Sequence, residues 1–118
     1  MTTMAIFAND ADTMTFPAGH CFFHEGEVGE VMYVVTEGEA EIKVHGKTVE
    51  VVAAGGIFGE MALIDHRDRS ADVYAKTDVK VSVINEKRFL YLVGNHPFFA
   101  LNVMRVMAER LRHFNSLL

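Results

Sequence analysis

The sequence predicts a mainly β domain (a sandwich, jelly roll or barrel) followed by C-terminal helices. Three observations predict it. Residues from about Met14 to Ile84 alternate with a period of two and are punctuated by glycine. Residues from about Asn85 to Leu118 switch to helical periodicity and contain a single glycine. The strand-like runs are short, and they recur at the close, regular spacing of doubled or closed all-β architectures. The length of 118 residues suits one domain, 1–118, with one real hydrophobic core.

Taken in order, Met32-Tyr33-Val34-Val35 is β-branched and aromatic, and Glu37-Gly38 follows it as a turn. Ala40, Ile42 and Val44 then alternate with Glu39, Glu41 and Lys43, which makes a half-buried strand. His45-Gly46-Lys47 reads as a hairpin turn and Thr48 to Ala53 as the return strand. Ala71 to Lys76 and Val79 to Ile84 read as two further strands joined by Thr77-Asp78. Asn85 is a good N-cap, with the acidic Glu86 in the first turn of a helix over about 86–94. Phe89, Leu90, Leu92 and Val93 form its apolar face, and Gly94 is placed to end it. Pro97 suits the first position of a second helix over about 97–116. Phe98, Leu101, Met104, Ala108 and Leu111 make its expected buried stripe, with Leu118 at the end of the same stripe.

Composition narrows the function classes. Half the residues are hydrophobic and 23% are charged, as in an ordinary globular protein. A net charge of −5 argues against a nucleic-acid-binding surface, and any bound anion must be held by local positive groups. The one cysteine, Cys21, excludes an internal disulfide and fits a reducing compartment. The start, MTTMAIFANDADT, is not a signal peptide, and no apolar stretch approaches the ~20 residues of a membrane helix. The expectation is a cytoplasmic protein with no membrane partner.

The segment Gly56–Val73, GIFGEMALIDHRDRSADV, concentrates the chemistry. Gly59 permits close approach of backbone to a ligand. Glu60 to Ile64 can form one helical turn, whose free N–H groups suit an anion. Arg69 offers a planar fork matched to phosphate oxygens, and Ser70 adds a hydroxyl. Glu60 repels a phosphate and makes sense only if it faces something else, such as a ribose hydroxyl. That favours a nucleotide over a bare phosphate. By spacing alone the segment reads equally well as a charged surface turn, with Arg69 paired to Asp65 or Asp68.

These residues resemble the cyclic nucleotide-binding domain family, whose phosphate-binding cassette reads approximately F-G-E-hydrophobic-A-L, a variable loop, then R-[S/T/A]-A. Here that is Phe58-Gly59-Glu60-Met61-Ala62-Leu63 and Arg69-Ser70-Ala71. The upstream pattern appears as Pro17-Ala18-Gly19, Glu25-Gly26, Met32-Tyr33 and Glu37-Gly38, so that the resemblance covers about Thr15 to Asn115. It implies a β-roll (double-stranded β-helix, jelly roll) of about eight strands over about 14–84, with helices packed at one end. It implies a non-enzymatic sensor with no catalytic residues, no cofactor and no metal, whose ligand is cAMP or cGMP. Serine rather than threonine at position 70 leans toward cAMP. By family role, Glu60 accepts from the ribose 2′-hydroxyl and Arg69 pairs with the cyclic phosphate. Gly59, Ala62 and Ser70 supply backbone N–H groups or a hydroxyl, and Phe58 and Met61 lie beside sugar and base.

The resemblance also makes the last helix a lid, with Arg110 directed at Glu60 or the ribose and Phe114 stacked on the purine. A solvated Arg110 and a packed Phe114 are the plainer alternatives. Only about a dozen residues precede Thr15, so a leading helix is expected to be short or missing. The expected module carries no attached output, is read by a separate, unidentified protein partner, and is a monomer rather than a dimer. Two other functions fit less of the sequence. One is a ligand-free protein-interaction module that keeps the fold. The other is a cupin-type metalloenzyme, for which His20 and His24 stand two positions too far apart to make an H-x-H pair.

Overall fold

The computed structural model describes Phe7 and residues 13–116. Its strands are β1 (Thr13–Phe16), β2 (Cys21–Phe23), β3 (Val31–Glu37), β4 (Ala40–Val44), β5 (Lys47–Val52), β6 (Ile57–Phe58), β7 (Asp72–Ala75) and β8 (Val79–Asn85). Helix α1 (Glu60–Asp65) interrupts the roll, and α2 (Glu86–Asn95) and α3 (Pro97–Ser116) follow it. The strands form two four-stranded antiparallel sheets, ordered β1-β8-β3-β6 and β2-β7-β4-β5. This is the mainly β roll with C-terminal helices that the sequence predicts.

Two cores hold it together. Between the sheets lie Phe23, Val35, Ala40, Ile42, Val52, Phe58, Val73, Ala75, Val79 and Val81. On the outer face of the first sheet Met32, Val34, Ile57 and Ile84 meet Leu63, Leu92, Phe99, Val103 and Phe7. Strand β3 therefore sends Tyr33 and Val35 to one core and Met32 and Val34 to the other. That explains why its sequence is a continuous apolar run rather than an alternating one. Strand β4 has one buried face and alternates as expected, with Ala40 and Ile42 inward. At the β4–β5 turn His45 and Gly46 have φ of 52° and 80°, the left-handed pair that a two-residue hairpin favours.

Asn85 caps α2 by accepting from the Arg88 N–H at 2.9 Å, and α3 begins at Pro97. Two helix expectations are corrected. Gly94 does not end α2. The helix runs through Asn95, and the His96 N–H closes it onto the Leu92 carbonyl at 2.8 Å. Of the α2 face only Leu92 is buried and Phe89 half-buried, while Leu90 and Val93 are exposed. The predicted α3 stripe is also rotated. Phe98, Leu101, Met104, Ala108 and Leu111 are exposed, whereas Phe99 and Val103 are buried and Val106 and Met107 pack beside them. The helix carries apolar residues on two faces, and the roll takes the one that includes Phe99. Leu118, and the residues bearing on a leading helix, lie outside those described. Among the described residues no helix is long and apolar enough to cross a membrane.

Candidate functional site

Strand β6 is followed by Gly59, which caps α1 in the left-handed conformation at φ 79°, ψ 9°. A side chain there would be strained, and its Cβ would stand 2.7 Å from Arg69 Nη1. The six residues of α1 bury Glu60, Ala62 and Leu63, with Leu63 inserted into the helix-side core. The chain then leaves the helix at His66, also left-handed, and returns toward β7. Two backbone bonds pin the return at Arg69. Its N–H donates to the Glu27 carbonyl and its own carbonyl accepts from the Gly26 N–H, each at 2.8 Å.

Arg69 is not a solvated loop arginine. Arg67 is the one that pairs with Asp65, at 3.2 Å, while Arg69 is only 6% exposed. Its guanidinium lies 4.0 Å from the Phe23 ring centroid, a cation–π contact. Nη1 donates to the Gly59 carbonyl at 2.9 Å and Nη2 to the Val31 carbonyl at 2.8 Å. Its buried Nε has no hydrogen-bond partner among the described residues. Gly29 packs so closely on this group that a Cβ there would stand 2.1 Å from Nε. Burial pushes the Arg69 guanidinium below its ordinary value, opposed by Tyr33, Glu27 and Glu60. The same burial raises the Tyr33 hydroxyl, against the pull of the Arg69 cation.

The second charged cluster joins three elements. Arg110 of α3 donates through Nη1 to Oε1 of Glu60 at 2.7 Å. Through Nε and Nη2 it grips both oxygens of Glu50 on β5, at 2.9 Å each. Nη2 also donates to the Ile57 carbonyl. The side chains of Arg110 and Glu60 are 12% and 4% exposed. Burial pulls the Arg110 guanidinium down, but the bond to Glu50 and the charges of Glu60 and Glu50 outweigh it, so the net direction is up.

Both clusters open on one cavity of about 440 Å³, inside the ~300–1,000 Å³ range of small-molecule sites. Its lining brings together Phe58, Gly59, Glu60, Met61, Ala62, Arg69, Ser70, Arg110 and Phe114, all singled out from the sequence. Phe58 backs the cavity as a fully buried core residue stacked 4.8 Å from Tyr33, while Met61, Ser70 and Phe114 are exposed at its rim. The plainer alternative for Arg110, a solvated helix arginine, is excluded by its contacts. Ile42, Val44, Val73 and Leu111 complete an apolar wall, opposite in character to the charged end.

Sequence reasoning missed Glu50 and Gly29. A signal for Glu50 existed: it shares a strand face with the buried Val52, and it stands across from Ile42 in the β4–β5 register. None existed for Gly29, whose role is to leave room for an arginine far along the chain. His20 stacks on Phe16 at 4.2 Å, and His24 lies 3.5 Å from the Cys21 thiol.

Comparison with known proteins bears directly on this cavity. The profile of the cyclic nucleotide-binding domain matches residues 13–96. The cAMP-dependent protein kinase regulatory subunit of Emericella nidulans is 40% identical over 92 residues, which cover 76% of this chain and 22% of that protein. The cyclic AMP receptor protein of Thermus thermophilus is 30% identical over 102 residues, covering 82% of this chain and 47% of that protein. The chain thus spans from about a fifth to about half of the length of these relatives. Among solved structures, the Thermus thermophilus catabolite activator protein superposes with a TM-score of 0.76 at 28% identity, covering 88% of this chain and 51% of that one. A structure from a cyclic-GMP-dependent signalling pathway that regulates bacterial phytopathogenesis gives 0.77 at 26% identity and covers 94% of each chain. With the cassette residues gathered on one cavity and the profile spanning most of the roll, the chain belongs to the cyclic nucleotide-binding domain family.

Proposed function

We propose that the domain is a non-enzymatic sensor that binds a purine cyclic nucleotide, cAMP in preference to cGMP, in the cavity beneath α3. The observation that carries this reading is Arg69. A cation more than nine-tenths buried meets, among the described residues, only neutral carbonyl acceptors and the Phe23 ring, with one donor unpartnered. A buried charge with no carboxylate in direct contact is costly, and an unmade hydrogen bond on it adds about 1–3 kcal/mol. An anion in the adjoining cavity relieves both, and it does so locally, against the net charge of −5.

The rest of the lining explains why the anion is a nucleotide. Glu60 would accept from the ribose 2′-hydroxyl, and Gly59, Ala62 and Ser70 would supply donors to the phosphate. The apolar wall and Phe114 would take the purine, and Arg110 would tie the closed lid to Glu60. Ser70 supports cAMP, as do relatives named for cAMP. No cofactor or metal is part of this reading. A separate protein would read the lid, and the domain would act as a cytoplasmic monomer.

Titration calorimetry with cAMP and cGMP tests the proposal. Saturable heat with a Kd near micromolar, about −8 kcal/mol, is expected. Replacing Arg69 by Ala should cost roughly 2–5 kcal/mol. No saturable heat at millimolar ligand, or an unchanged affinity in Arg69→Ala, rejects it. A second reading, a ligand-free interaction module, draws on the fact that Arg69 and Glu60 already have protein partners. It predicts no heat with either nucleotide.

A further inference from the structure

We infer that Glu50 is a positioning residue for sugar recognition. By occupying Arg110 it keeps one oxygen of Glu60 open for the ribose hydroxyl. The inference rests on the cyclic-nucleotide reading of the cavity and adds to it a residue outside the cassette.

A guanidinium fork pairs most strongly with one carboxylate through two parallel bonds. In this cluster two carboxylates compete for one fork. Glu50 wins the bidentate arrangement, through Nε to Oε1 and Nη2 to Oε2, both at 2.9 Å. Glu60 receives a single bond, Nη1 to Oε1 at 2.7 Å, and its Oε2 stays outside the ion pair. Arg110 and Glu60 are well shielded, their side chains 12% and 4% exposed, while Glu50 is 31% exposed. Without the Glu50 charge, Nε would lose its anionic acceptor and Nη2 would keep only the neutral Ile57 carbonyl. The nearest remaining carboxylate is Glu60. Arg110 would then close on both of its oxygens, leaving neither for a hydroxyl.

Removing Glu50 also deletes a negative charge from the cavity, which favours any anion whatever its sugar. A ratio of affinities cancels that effect and isolates the hydroxyl. The test is calorimetric titration of the full chain with cAMP and with its 2′-deoxy analogue. The wild type should bind cAMP about 10- to 150-fold more tightly than the analogue, the worth of one hydrogen bond to a charged group. In Glu50→Gln the ratio should fall to about threefold or less. In the Arg110→Met background, where there is no guanidinium to redirect, adding Glu50→Gln should leave the ratio as it was.

That last comparison separates positioning from a general loss of structure. A Glu50→Gln ratio equal to that of the wild type overturns the inference and leaves the cyclic-nucleotide reading standing. A wild-type ratio near one overturns it as well, and a wild type that binds neither ligand overturns both. Should Glu50→Gln fail to fold, Glu50→Asp keeps the charge but withdraws it from Arg110, and is judged by the same ratio.

Discussion

At the scale of single residues, the site is organised by how one arginine is housed. Arg69 is seated by the Phe23 face, by the carbonyls of Gly59 and Val31, and by the absence of a side chain at Gly29. Position 29 lacks the left-handed φ that would demand glycine, so an alanine there is acceptable to the backbone. The sharpest conflict is with Arg69, since the new Cβ would lie 2.1 Å from Nε, 2.3 Å from Cζ and 2.6 Å from Nη2. Gly29→Ala should therefore fold and unseat the guanidinium, weakening cAMP by about tenfold through lost preorganisation. Calorimetry set beside a denaturation curve checks this, and an affinity equal to wild type rules out the seat as a binding determinant. Glu60 and Arg69 were legible in the sequence because their chemistry is local to one short segment. Gly29 and Glu50 were not, because each acts on a partner at least 40 residues away, Arg69 and Arg110 respectively.

At the scale of elements, α3 shows where periodicity stops being informative. Phe98, Leu101, Met104 and Leu111 repeat with helical spacing, and so do Phe99, Val103, Val106 and Met107. Helical periodicity identifies a helix with apolar faces and does not say which of two is turned inward. Contact with Ile84, Leu92 and Phe7 selects the second set. That choice points Arg110 at Glu60 and Glu50, so the register of α3 and the wiring of the site are one fact. Aspartate substitutions check the register. Val103→Asp buries an unpaired charge in the helix-side core and should cost more than about 3 kcal/mol. Met104→Asp, on the exposed face, should change stability by no more than about 0.5 kcal/mol. Equal costs by urea denaturation would contradict the placement of this helix.

At the scale of the whole molecule, the cavity lies where the two parts of the fold meet. The roll contributes Phe23, Ile42, Phe58 and Val73, and α3 contributes Met107, Arg110, Leu111 and Phe114. The roll was legible from alternation and turn residues. The double burial of β3 was legible only as an apolar run, because a sheet covered on both faces loses its alternation. A ligand filling this cavity touches both parts and so stabilises the folded state as a unit. At a cAMP concentration 100 times Kd the gain is about 2.7 kcal/mol. For a domain of this size each kcal/mol raises the melting temperature by roughly 4 °C, so the shift should be on the order of 10 °C. It should grow with the logarithm of ligand concentration and fall to about 4 °C or less in Arg69→Ala at the same concentration. A shift that survives undiminished in Arg69→Ala would mean that the nucleotide stabilises the protein from some other surface. The buried cation would then have to be explained as part of the fold.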